Sequence, residues 1–258
     1  MLDIRQIESF YPENLRPFKR NLLREYLQYK ILEVIFSSPY AKALSFMGGT
    51  AIRIVHSSGR FSEDLDFDNR SVDQDGLELL TNHIHQRLSR EGYEAEVKNT
   101  LRGAFRSSIR IPGILFINGL SRHRDERLTI QVNTEPQQFD YKPESVLINK
   151  FDVFVRVHVV PVDILLAQKV TCLFTRKRPL GRDFYDIIFL MARTKPNYDY
   201  LKEKTGLTTR KKLQRQILLK CKELDFKQLV RDVAPFLMNR GDAEKILFFP
   251  EYIRTVGL

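Results

Sequence analysis

The sequence predicts an α/β (α+β) fold: a part that mixes strands and helices, followed by a basic part made of helices alone. Three observations carry this. Period-two and helical spacings interleave along the first half of the chain, and from Pro161 onward only helical spacing remains. The excess of positive charge also falls in that helical stretch. The predicted division is 1–155 for the α/β domain and 156–258 for the basic helical domain.

The elements follow in order. Over 14–37, Leu22, Leu23, Tyr26, Leu27, Ile31 and Val34 recur at three- and four-residue intervals, which predicts a helix. Leu44–Met47 is a short apolar strand that runs into Gly48, Gly49 and Thr50, with a helix over Ala51–His56. The stretch SEDLDFDN alternates acidic and apolar residues and reads as a half-exposed strand, and 74–91 reads as a helix. Four β-rich runs follow at 93–98, 105–111, 114–118 and 127–133, each bounded by Gly, Asn or Pro. Beyond Pro161, VDILLAQKVTCLFTRK, RDFYDIIFLMAR, TRKKLQRQILLKCKEL, FKQLVRDVAPFLM and AEKILFFPEYI all predict helices.

Composition narrows the function classes. With 258 residues, 43% of them hydrophobic, the chain can bury a core, which excludes disordered and collagen-like readings. No apolar run is long enough to span a membrane and the N-terminal stretch lacks an apolar signal core, so a cytoplasmic protein without a membrane partner is expected. Cys172 and Cys221 show no paired spacing and read as small hydrophobes in a reducing compartment. Between Lys169 and Arg231 stand 17 basic and 6 acidic residues, a local balance of +11 against +10 for the whole chain. A polyanion is the natural partner of such a segment.

The chemistry concentrates in FMGGTAIRIVHSSGRFSEDLDFD, residues 46–68. Glycines let the main chain approach a bulky anion, and a helix start offers unpaired N–H groups with a positive dipole end. In the strand that follows, Asp64 and Asp66 project to one face while Leu65 and Phe67 go to the core. Two neighbouring carboxylates repel unless a cation lies between them, and oxygen ligands of this kind suit Mg²⁺, which takes substrate phosphates as further ligands. An edge strand carrying protective charge has the same pattern. Asp68 continues the face. His83 and His85 stand two apart on a helix and face different ways, and no P-loop or nucleophile-elbow motif is present.

Gly48-Gly49-Thr50-Ala51, a short helix, and Arg60-Phe61-Ser62-Glu63-Asp64-Leu65-Asp66-Phe67 together resemble the first motif of the DNA polymerase β-like nucleotidyltransferase superfamily. More narrowly, the chain resembles the AbiEii/AbiGii toxin branch, known from type IV toxin–antitoxin and abortive-infection systems. Ile164-Leu165-Leu166-Ala167-Gln168-Lys169 and Arg182-Asp183-Phe184-Tyr185-Asp186-Ile187 are similar to that branch's helical lysine and its Arg-Asp-x-Tyr-Asp motif. The resemblance implies a polymerase β-like core with a mixed sheet, and an enzyme that moves an NMP from an NTP to an acceptor, a tRNA in the toxin branch. It implies a cognate antitoxin as well. On this resemblance Gly48, Gly49 and Thr50 hold the triphosphate, with Ser62 adding a hydroxyl. Asp64 and Asp66 bind Mg²⁺, Lys169 clamps a phosphate, and Asp183 is a candidate base that could equally be a helix N-cap.

One departure stands out. Many polymerase β-like enzymes carry a third carboxylate on a later strand, and in RLTIQVNTEP strand phase points to Gln131, with Glu135 four residues on. Glutamine supplies neither charge nor a proton acceptor. A transferase acting on a protein hydroxyl and a degenerate nucleotide- or RNA-binding protein therefore remain as alternatives, and no motif fixes the choice of NTP.

Overall fold

A computed structural model describes residues 2–102 and 104–255, in two compact units. The first comprises residues up to 51 and 62–160; the second comprises 52–61 and residues from 161 onward.

In the first unit, α1 (Ile4–Ser9) and α2 (Lys19–Phe36) precede β1 (Leu44–Met47) and the start of α3 (Gly48–Ile54). Then come β2 (Leu65–Asn69), α4 (Gln74–Arg90), β3 (Glu96–Arg102), β4 (Ala104–Pro112), α5 (Ile114–Ile117), β5 (Arg127–Glu135), β6 (Glu144–Lys150) and β7 (Val153–Val159). The strands form one mixed sheet in the order β3-β4-β5-β2-β1-β7-β6. β2 runs antiparallel to β1 and parallel to β5. The expected mixed sheet is present. One face is apolar: Phe46, Leu65, Phe67, Ile130 and Val157 are fully buried, and Phe67 lies against the rings of Phe36 and Phe46. Helices α2 and α4 turn Leu27, Ile31, Leu80 and Ile84 inward.

Two expectations need correction here. The run at 114–118 is helical: Gly113 (φ +71°) reverses the chain, and the Ile117 and Asn118 N–H groups donate to the carbonyls of Gly113 and Ile114. A four-residue apolar run fits a buried strand and a single helical turn equally well. The sequence pattern also marks no element over 144–159, which is a full hairpin in register from Glu144↔Val159 to Lys150↔Val153. Its tight turn uses Phe151 at φ +59°, where glycine or asparagine is the usual signal. The strain is offset by packing, because the Phe151 ring sits among those of Phe10, Tyr11, Tyr26 and Tyr29.

The second unit contains α6 (Val162–Thr175), α7 (Gly181–Met191), α8 (Tyr198–Thr205), α9 (Arg210–Cys221), α10 (Phe226–Val233) and α11 (Phe249–Thr255). Residues 52–61 thread into it. The Phe61 N–H donates to the Phe236 carbonyl at 2.8 Å, and the Met238 N–H donates to that of Gly59 at 3.0 Å. Gly181 is required by space, since a Cβ there would collide with the backbone of Leu229 where α10 crosses α7. Among the described residues no helix is long and apolar enough to cross a membrane.

Candidate active site

The first unit brings together the glycine turn and the acidic strand. Gly48 follows β1 directly and takes φ +77°. A Cβ at Gly48 would lie 3.0 Å from the Asp66 Cβ, 3.1 Å from its Cγ, and closer still to a carboxylate oxygen. Glycine is thus demanded twice, by the left-handed backbone and by the carboxylate against it. Met47 and Asp66 are paired in register, which sets that contact. Gly49 and Thr50 are buried, and the Thr50 hydroxyl donates to the carbonyl of Asp64, tying the turn to the strand entrance. Ser62 is half-buried and its carbonyl accepts from Gln28 Nε2 at 3.0 Å.

Asp64 immediately precedes β2, and Asp66 lies within it. Both are half-buried while Leu65 and Phe67 are fully buried, the expected alternation. Asp68 is spent on structure. Its carboxylate accepts the Gln137 N–H at 2.8 Å and the Tyr141 hydroxyl at 2.6 Å. Burial and this bond to Asp68 push the Tyr141 phenol above its ordinary range.

The neighbour of Asp66 on β5 is a residue the sequence reading missed. The register pairs Asp66 with Asn133, whose Nδ2 donates to Asp66 Oδ1 at 2.9 Å. Gln131, expected at the third-carboxylate position, instead donates through Nε2 to the Ser108 hydroxyl at 3.0 Å, and Glu135 is exposed beside Asp68. Strand phase put all three on one face, but only the β2–β5 register selects among them.

Whether these residues suit a divalent cation is tested by the donor set and the cradle around it. Among the described residues no group of three or more His, Cys, Asp and Glu is arranged to hold a metal. Two aspartates with an open-backboned glycine beside one of them still match Mg²⁺, which binds through one or two carboxylates plus substrate phosphates. The residues fit.

The second unit gathers Lys169 and Asp183 with Arg60, Arg176 and Asp186, three residues to which the sequence assigns no catalytic role. Arg60 grips Asp186 with two parallel bonds, Nε to Oδ1 and Nη2 to Oδ2, both 2.6 Å. Lys169 Nζ lies 2.9 Å from Asp186 Oδ2 and 3.6 Å from Asp183 Oδ1. Arg176 stands 3.4 Å from Asp183, which also accepts the Leu180 N–H at 3.3 Å near the start of α7. All but Arg176 are buried. Burial disfavours each charge, yet the ion pairs outweigh it: Asp186 is held below its ordinary value by Arg60 and Lys169, while Lys169 and Arg60 are held above theirs. Lys169 is therefore no solvent-facing lysine, and Asp183 is the third residue of α7 rather than its N-cap, its carboxylate accepting the N–H of the N-cap residue Leu180.

A family model described as "Nucleotidyl transferase AbiEii toxin, Type IV TA system" matches residues 30–247. No curated protein sequence matches significantly. Among solved structures the chain is similar to JHP933 from Helicobacter pylori, 17% identical, covering 91% of this chain and 90% of that one with a TM-score of 0.60. It is also similar to a Helicobacter pylori protein provisionally described as a nucleotidyltransferase, 17% identical over 94% of this chain and 96% of the other, with a TM-score of 0.55. At that identity the likeness is one of fold.

Proposed function

The chain belongs to the AbiEii family of nucleotidyltransferase toxins from type IV toxin–antitoxin systems, and from that premise we propose that it transfers an NMP from an NTP to a tRNA in an Mg²⁺-dependent reaction. The family implies an antitoxin partner. The observation that carries the reading is Asp66, packed against Gly48 on one side and oriented by Asn133 on the other.

In this reading the main chain of Gly48–Thr50 receives the triphosphate, Ser62 adds its hydroxyl, and Asp64 and Asp66 hold the cation. A bound Mg²⁺ neutralises the phosphates and so stabilises charge in the transition state. The acceptor hydroxyl oxygen forms a bond to the α-phosphorus. The bond from that phosphorus to the bridging oxygen breaks, pyrophosphate leaves, and the hydroxyl proton passes to water. Lys169 is assigned a charge on phosphate. Asp183, flanked by two cations and already accepting an N–H, is assigned to position Lys169 rather than to take the proton. The domain roles follow the division at 155, with the nucleotide chemistry before it and, after it, basic helices that contribute to acceptor binding. Exposed Lys211, Arg215 and Lys222, with Arg254, rim a depression of about 670 Å³ on α9 and α11, which supports a polyanionic acceptor.

Label transfer tests this. Each α-labelled NTP is incubated with the protein, Mg²⁺ and total tRNA, with Asp66→Ala as the control. Label on RNA from one or two nucleotides, lost in the variant, is expected. Label on protein alone would replace the acceptor with a protein hydroxyl, and label on neither would leave a nucleotide- or RNA-binding protein.

A further inference from the structure

We propose that the open face of β3, β4 and β5 is a binding site for the phosphodiester backbone of the acceptor RNA, built by Lys98, Arg106 and Arg110. The inference rests on the reading of Asp64 and Asp66 as the reacting centre and adds where the acceptor strand lies relative to it.

The register supplies the geometry. Thr100 pairs with Arg106, Arg106 with Asn133, and Asn133 with Asp66, so one cross-strand row runs from the acidic strand to the sheet edge on a single face. Arg106 stands two strands from Asp66, roughly 10 Å of backbone. An arginine side chain at that distance reaches phosphates one or two nucleotides from a hydroxyl held at Asp66. The next row pairs Lys98 with Ser108 and Ser108 with Gln131, which makes Arg106 and Arg110 the two diagonal neighbours of Lys98.

These residues line a depression of about 410 Å³ together with Thr100, Ala104, Ser108 and Gln131. No acidic side chain lines it, and among the described residues none of the three cations forms an ion pair. Lys98 lies diagonal to both arginines, which stand four residues apart on β4. Glu96, paired in register with Arg110, is held by Arg127 at 3.3 Å, and an anion between Lys98 and the arginines removes the remaining repulsion. The remaining polar lining (Thr100, Ser108 and Gln131) offers neutral hydrogen-bond donors. The lining also holds no aromatic ring on which a base could stack, so contact would be to the backbone and tolerant of sequence. Gln131 gains a reason here: a carboxylate at that position would put a negative charge against the phosphates.

The test compares the wild-type protein with the triple variant Lys98→Gln/Arg106→Gln/Arg110→Gln and with a control, Arg5→Gln/Lys42→Gln/Arg90→Gln, which removes as many cations elsewhere in the same unit. Binding of fluorescent tRNA is followed against salt, and RNA labelling is followed against tRNA concentration. The site variant should weaken tRNA binding about 10–100-fold and lower the slope of log K against log salt by about two to three, at roughly one per lost phosphate contact. Its KM for tRNA should rise with kcat retained. The control should change the slope by less than about one. An unchanged slope and KM in the site variant, or equal losses in the control, would overturn the proposal, as would wild-type protein that binds no tRNA. If the wild type binds tRNA but labels none, the transfer reading fails while the slope comparison still decides this site.

Discussion

Asp66 is oriented by single contacts, and each makes a residue-scale prediction. Gly48→Ala adds a Cβ that neither the backbone at φ +77° nor the Asp66 carboxylate accommodates. Transfer should fall by at least about 10²-fold, the cost of displacing a reacting group by roughly an ångström, measured as kcat at saturating NTP. Asn133→Ala removes the donor to Asp66 Oδ1 and should cost about 10–100-fold in metal affinity or activity, as losing a partner that orients a metal ligand does. The Mg²⁺ concentration at half-maximal rate should rise with it, a readout that simple loosening of the strand would leave in place. The aspartate pair and the glycine turn were legible because both signals are local, a period of two and a glycine between strand and helix. Asn133 was not legible. It lies 67 residues from Asp66, and only strand register brings the two together.

At the scale of elements, the cluster joining α6, α7 and the 52–61 segment is where burial and charge meet. Asp186→Asn would leave Arg60 buried without its counter-charge and should destabilise by about 3–5 kcal/mol, read as a lower denaturant midpoint at unchanged m. The pH dependence has a definite sign. Asp186 titrates below its ordinary 3.8 in the folded chain, so its contribution is fully present above that pH and is lost as pH falls through the depressed value. Lys169 titrates above its ordinary 10.5, so its contribution is present below that pH and is lost as pH rises through the raised value. Melting temperature against pH should therefore fall at both ends, and Asp186→Asn should flatten the acid limb. The helices of this cluster were legible from their spacing. The Arg60–Asp186 bond, 126 residues apart in sequence, was not. The hairpin at 144–159 was not legible for a different reason: its turn is carried by Phe151, whose cost is met by rings just after α1 and on α2 that no local pattern reveals.

At the scale of the whole molecule, the sheet class and the basic helices were readable from periodicity and charge, because both sum over many residues. The sheet order was not, since β1 and β2 are central although they come first in the chain. In the proposed reaction Asp64 and Asp66 hold the cation, and the acceptor is held by cations outside that pair. The measurement that tests this most directly is pyrophosphate release with tRNA, each NTP and Mg²⁺, for wild-type protein and Asp66→Asn, with melting curves for both. Release with one or two NTPs is expected, with a fall of about 10²–10³-fold in the variant and an unchanged melting temperature. Equal release from the two proteins, both folded, would contradict it.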